Sequence, residues 1–188
     1  MKVKKAMKLV EEKLPKKRYQ HSLRVAETAK QLADIFHGDK DICEMAGILH
    51  DYFKYDDLSE LYQKVTKYKL ETELLAYSSE ILHGPVAAAY FKNEHNIDNQ
   101  EIFDAIYFHT TGRRQMGLNE KIIFVSDYIE PERTQPGVEE IRDMIYKEKD
   151  IDKAIYEISK RTVLYLVAGD KTIYPATIDC LNYYNLQK

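Results

Sequence analysis

Apolar residues recur at helical spacing along nearly the whole chain. Met7, Leu9, Val10 and Leu14 mark a first short helix, which Pro15 and the basic run Lys16-Lys17-Arg18 close. A second helix runs to about Phe36, with Val25, Ala29, Leu32, Ala33 and Phe36 on one face. Gly38-Asp39 ends it and caps a third, whose buried positions are Ile42, Met45, Ala46 and Leu49. Residues 55–82 are polar and rich in Tyr and Lys, which predicts short helices and loops over the mouth of a bundle. Gly84-Pro85 is expected to open a helix from Val86 to about Phe91, and Asp98 to cap one over 102–108 that Gly112 stops. Ile122, Ile123, Val125 and Ile129 mark a further helical stretch over 120–129. Pro131 and Pro136-Gly137 then break the chain. A long helix from about Ile151 to Ala168 and a last one after Pro175 complete the pattern. Val163–Val167 is rich in β-branched residues and would also suit a strand, but nothing nearby offers it an edge. The chain shows no repeat, low-complexity tract or linker. The expectation is an all-α, single-domain helical bundle.

Length and composition support this and narrow the function. The 188 residues are enough for one domain with a real core, and two small domains would be a strain. With 28 basic against 31 acidic residues the formal net charge is -3, which argues against a general nucleic-acid binder. A small substrate bearing phosphates remains compatible with that balance. Cys43 and Cys180 are far apart and lack CxxC spacing, so reduced thiols are expected. The lysine-rich N-terminus has no apolar core of signal-peptide length, and no stretch approaches a membrane span. A cytoplasmic protein with no membrane partner is the expectation.

The chemistry concentrates at helix ends. His50-Asp51 closes the third helix, His21 lies in the first turns of the second, and His109 ends the helix expected over 102–108. His83 stands just before Gly84-Pro85, and Asp127 points away from the apolar face of its helix. Antiparallel packing across a short turn brings His21 and His50-Asp51 to one end of the bundle. Imidazole and carboxylate together suit divalent iron, manganese, zinc or nickel. Adjacent helical residues point about 100° apart, so His50 and Asp51 converge on a metal only at a helix terminus, or if Asp51 spans two metals. The residues alone leave a second reading open, in which each histidine complements a helix dipole and each aspartate is a cap or surface charge. His37 and His95, in polar helix tails, are read that way.

The order His21, His50-Asp51, His83, His109, Asp127 resembles the HD-domain superfamily of metal-dependent phosphohydrolases. The local wording is similar to one branch, the YqeK-type symmetrical diadenosine tetraphosphate hydrolases of bacteria. Six segments carry the likeness: 21–25, 47–54, 82–88, 106–112, 125–133, and 173–177 with Asn182. The resemblance implies an HD core over about 18–130 with C-terminal helices over 138–188 packed on it. It also implies a dinuclear site made by His21, His50, Asp51, His83, His109 and Asp127. Two iron ions per chain are the expected cofactor, with manganese or another divalent ion also compatible. Symmetrical cleavage of the tetraphosphate bridge, releasing two ADP, is the implied reaction.

Within that scheme Asp51 bridges the metals, and Lys54, three residues on, is the candidate for charge stabilisation. Arg133, Thr110, His83 and His109 are expected to face substrate, and Ile173 with Tyr174 to wall the nucleotide. Arg24, at i+3 from His21, either binds phosphate or holds a ligand carboxylate. Arg113-Arg114 is read as a basic turn. Two alternatives stand beside this scheme: hydrolysis of another nucleotide at the same kind of site, and a non-catalytic nucleotide sensor of the HD type. A homodimer is compatible with either.

Overall fold

The computed structural model describes residues 1–187, and no strand occurs among them. The helices are α1 Val3–Lys13, α2 Lys16–Phe36, α3 Lys40–Leu49, α4 Leu58–Lys67, α5 Ser79–His95, α6 Gln100–Tyr107, α7 Leu118–Ile129, α8 Val138–Asp143, α9 Ile151–Ala168 and α10 Pro175–Asn185. The all-α expectation is borne out. Val163–Val167 lies wholly within α9. None of the described helices is long and apolar enough to cross a membrane.

Local chemistry explains the boundaries. Leu14 is extended because the following Pro15 disfavours helical geometry there. Asp39 Oδ1 accepts from the backbone N–H groups of Asp41 and Ile42 and so starts α3. The left-handed residue that ends α2 is His37, at φ 63°, rather than Gly38. Two further expectations need correcting. Asn99 caps α6, its side-chain oxygen accepting from Glu101 and Ile102, one residue beyond Asp98. Gly84-Pro85 does not open a helix but lies inside α5, which begins at Ser79. A proline there forgoes one helical hydrogen bond. Leu82 on one side and Val86, Ala87, Ala88 and Phe91 on the other are all buried, so packing carries the helix through.

Helices α2, α3, α5, α6 and α7 form the body, and α9 packs on α7 with α10 against it. Two glycines set the closest approaches. A Cβ on Gly47 would lie 2.6 Å from Ala26 Cα, so α3 touches the α2 backbone there. A Cβ on Gly84 would come within 3.0 Å of the Ile106 and Tyr107 carbonyl oxygens and 3.1 Å of His109 Cε1. The first contact lies three residues before His50; the second lies beside His83 and against His109. Close packing of these helix pairs therefore decides which histidines meet.

Candidate metal centre

Five elements deliver the six side chains that the sequence singled out to one buried spot. His21 comes from the second turn of α2, His50 from the end of α3, and Asp51 from the turn after it. His83 lies in α5, His109 in the turn after α6, and Asp127 near the end of α7. All four histidines and Asp51 are buried, while Asp127 is partly exposed.

Asp51 is the centre of the arrangement. Its Oδ2 lies 3.3 Å from His50 Nε2 and 3.6 Å from His21 Nε2. Its Oδ1 lies 3.1 Å from His83 Nε2 and 3.7 Å from His109 Nε2. One carboxylate thus turns one oxygen to each of two histidine pairs. Asp127 Oδ1 joins the first pair, 3.0 Å from His21 Nε2 and 3.9 Å from His50 Nε2. His50 and Asp51 escape the 100° divergence of helical neighbours because α3 ends at Leu49.

The outer nitrogens fix what the inner ones offer. Nδ1 of His50 is 2.7 Å from the Gly47 carbonyl, that of His83 is 3.0 Å from Ser79 O, and that of His109 is 2.7 Å from Ile106 O. Carbonyl oxygens only accept, so each of these Nδ1 atoms carries the proton. A neutral ring in that tautomer presents its Nε2 lone pair inward. Nδ1 of His21 meets Glu130 Oε1 at 3.1 Å, which orients it the same way. Nε2 of His21 and of His50 is buried without a hydrogen-bond partner, and the Nε2 atoms of His83 and His109 face each other at 3.0 Å. Four inward lone pairs around two carboxylates are what divalent cations require. The residues present fit a metal site, and the N/O donor set suits a divalent ion.

Electrostatics differ between the rings: burial disfavours a charge on His50, but Asp51 and Asp127 beside it raise its pKa. Burial pushes the His109 pKa down to about 4, which keeps that ring neutral. Burial opposes the charge on Asp51, but His50 and the other histidines around it hold the carboxyl well below its usual range. Asp127 is held low against burial by the close approach of His21 and by Arg133.

Three residues were missed in the sequence. Glu130 is buried and accepts from Arg24 Nε at 2.6 Å and from the Glu132 N–H at 2.9 Å, as well as meeting His21. Arg24 therefore holds a carboxylate that orients a ligand, one of the two readings its spacing allowed. Arg18 donates to Asp51 Oδ2 at 2.8 Å. Glu80 pairs with Lys54 at 2.5 Å. Arg18 lay in a basic run that looked like a helix stop, and a buried glutamate one residue beyond an apolar stretch gives no periodic signal.

Arg133 donates to Asp127 Oδ1 at 2.6 Å, and Thr110 Oγ1 lies 2.9 Å from His109 Nε2. A cavity of about 480 Å³ opens onto Asp51, His109 and Asp127, with Arg18, Lys54, Arg133 and Thr110 in its walls. Ile173 is half-buried beside Thr172, which lines a hollow with Tyr77, and Tyr174 packs edge-on to Tyr77. Arg113 pairs with Glu120 and Asp104, away from the ligands, as a structural turn would. His37 is the α2 terminus and His95 meets the Tyr90 hydroxyl, so neither joins the cluster.

The HD domain family signature matches residues 18–132, a span that contains all six residues. The chain belongs to the HD domain family. A relative from Staphylococcus aureus, named bis(5'-nucleosyl)-tetraphosphatase, symmetrical, is 60% identical over 98% of this chain and 95% of its own. A Bacillus subtilis protein of the same name is 36% identical over 95% of each chain. A crystal structure titled as a predicted HD superfamily hydrolase involved in NAD metabolism, from Clostridium acetobutylicum, superposes with a TM-score of 0.93 at 34% identity. It covers 100% of this chain and 99% of that one. The six-segment resemblance to this HD branch is therefore borne out.

Proposed function

We propose that this HD protein hydrolyses diadenosine tetraphosphate and related dinucleoside polyphosphates to two nucleoside diphosphates at a dinuclear site. The activity rests on relatives of that name that match nearly end to end. The observation that carries the dinuclear reading is the split of Asp51, one oxygen to His21 and His50 and the other to His83 and His109. His21, His50, Asp51 and Asp127 would hold one ion; His83, His109 and Asp51 would hold the other. We take both ions to be iron, which the N/O donor set accommodates as it does manganese.

Such ions would supply a nucleophile at neutral pH, by lowering the pKa of water towards about 7, and would neutralise phosphate charge. The residues of the chain position the rest. One water adds across the central P–O–P bridge: a new P–O bond forms at one phosphorus as that same phosphorus's bond to the bridging oxygen breaks, the bridging oxygen leaves with the other ADP, and the two protons of the water pass to the new phosphate ends or to solvent. ADP is a weakly basic leaving group, so the step needs charge stabilisation more than a strong acid. Arg18, Lys54 and Arg133 line the cavity for that purpose, and Thr110 offers a hydroxyl to a phosphate oxygen. Lys54 is partly engaged by Glu80 at the rim, a contact that a phosphate would compete for.

Metal analysis and product analysis on one preparation test this reading. Anaerobically purified protein is expected to carry two metal ions per chain and to release ADP alone from diadenosine tetraphosphate. AMP plus ATP as products would overturn symmetrical cleavage, and less than one bound metal that added iron or manganese cannot raise would favour a sensor.

A further inference from the structure

The cavity above the metal ligands does not stand alone. Two hollows adjoin it. One, of about 800 Å³, lies between Tyr77, Ile81 and the α9–α10 turn at Lys171 and Thr172. The other, of about 590 Å³, lies between Tyr128 of α7, Gly137 and Glu140 at the start of α8, and Arg161 of α9. Thr162 and Tyr165 wall all three spaces. Glu80 and Thr110 are shared by the centre and the first hollow, and Tyr128 by the centre and the second.

Helix geometry puts these spaces in a row. At 100° per residue, Arg161 and Leu166 lie about 140° apart around α9, with Ile158, Thr162 and Tyr165 between them. Arg161 faces the second hollow and Leu166 the first, while the three residues between them face the centre. An extended ligand through the centre can therefore run one end into each side.

We infer that the two hollows are nucleoside subsites on opposite sides of the centre, one at the α9–α10 turn and a second between α7, α8 and α9. This rests on the hydrolase reading above. The charge layout fits a molecule with an anionic middle and two flat, weakly polar ends. Arg18, Lys54 and Arg133 stand in the centre. Tyr77 stands on one side and Tyr128 on the other, with Tyr165 between them. Tyr165 is 64% exposed and held by Lys171, which donates to its hydroxyl at 2.8 Å. Arg161, held by Glu140, adds a planar guanidinium that can lie against a base. Each hollow falls within the volume range of small-ligand sites, about 300–1,000 Å³. The reaction also demands two places, since two identical diphosphates coexist when the bridge breaks.

Glu140→Trp tests the subsite. Glu140 is exposed on α8, so an indole there fills the hollow without entering the core. Two substrates are compared on the metal-loaded enzyme: diadenosine tetraphosphate, and adenosine 5'-tetraphosphate, which keeps four phosphates but one nucleoside. Stacking of one base sets the scale, so the ratio of kcat/KM between them should fall about 5- to 100-fold in the variant. Arg161→Ala should lower the same ratio by a smaller factor. Calorimetry with ADP should give two sites per chain in the wild type and one in Glu140→Trp. An unchanged ratio in both variants, or one ADP per chain in the wild type, overturns the subsite. Failure of the wild type to release ADP from the dinucleotide overturns the hydrolase reading instead.

Discussion

The two faces of Asp51 are built differently. On the Oδ2 side, His21 and His50 share the space with a second carboxylate, Asp127. Charged partners surround that side: Glu130 and Arg24 behind His21, Arg133 behind Asp127, and Arg18 on Asp51 itself. On the Oδ1 side stand His83 and His109, each anchored to a backbone carbonyl, with the uncharged Thr110 hydroxyl 2.9 Å from His109 Nε2. Four ligands with two negative charges make a tight site, whereas three ligands sharing one charge leave more positions open for water or phosphate. If both faces bind metal as proposed, one half would keep an ion and the other would present one.

Substitution of the shared residue should have the largest effect. Asp51→Ala is expected to lose both ions and to cut kcat/KM by roughly 10³-fold or more, while circular dichroism stays helical. Retention of either ion at wild-type affinity would break the bridging assignment. Next in size, graded chelation should strip the ions in order, the His83–His109 side first. Simultaneous loss in both the wild type and His83→Ala would show that the faces are not distinct. Glu130→Gln should then weaken one ion about 10- to 100-fold, as removal of an orienting carboxylate behind a ligating histidine does, and spare the other. Equal weakening of both would mean that Glu130 acts on the fold rather than on His21. Lys54→Ala should keep both ions and lose only rate, by about 10-fold or more; unchanged kinetics would remove Lys54 from the reaction.

The metal ligands were legible because each sits at or near a helix end, where periodicity stops and an isolated histidine or aspartate stands out. His83 is the instructive exception. It was placed before a helix because Gly84-Pro85 looks like a start, yet α5 begins four residues earlier. The proline cost was outweighed by burial on both sides, a balance that no local pattern contains. Asp98 and Asn99 differ for a similar reason, since either can cap and only the final geometry chooses. Glu130 and Arg18 were not legible as partners. They lie 109 and 33 residues from the ligands they orient, and their charges look like any solvated ones until the chain closes.

The sequence by itself determined the helical class, the ends of α3 and α9 among the helix bounds, and the set of six side chains able to bind metal. Those follow from periodicity, capping and donor chemistry, which are local properties. Tertiary structure alone decided that Asp51 would divide its oxygens between two histidine pairs. It also decided that Glu130 would back His21 and that three spaces would line up along α9. These features depend on how closely helices approach, as at Gly47 against Ala26 and Gly84 against the end of α6. Close packing fixes such distances to fractions of an ångström, and no single segment of sequence carries that information.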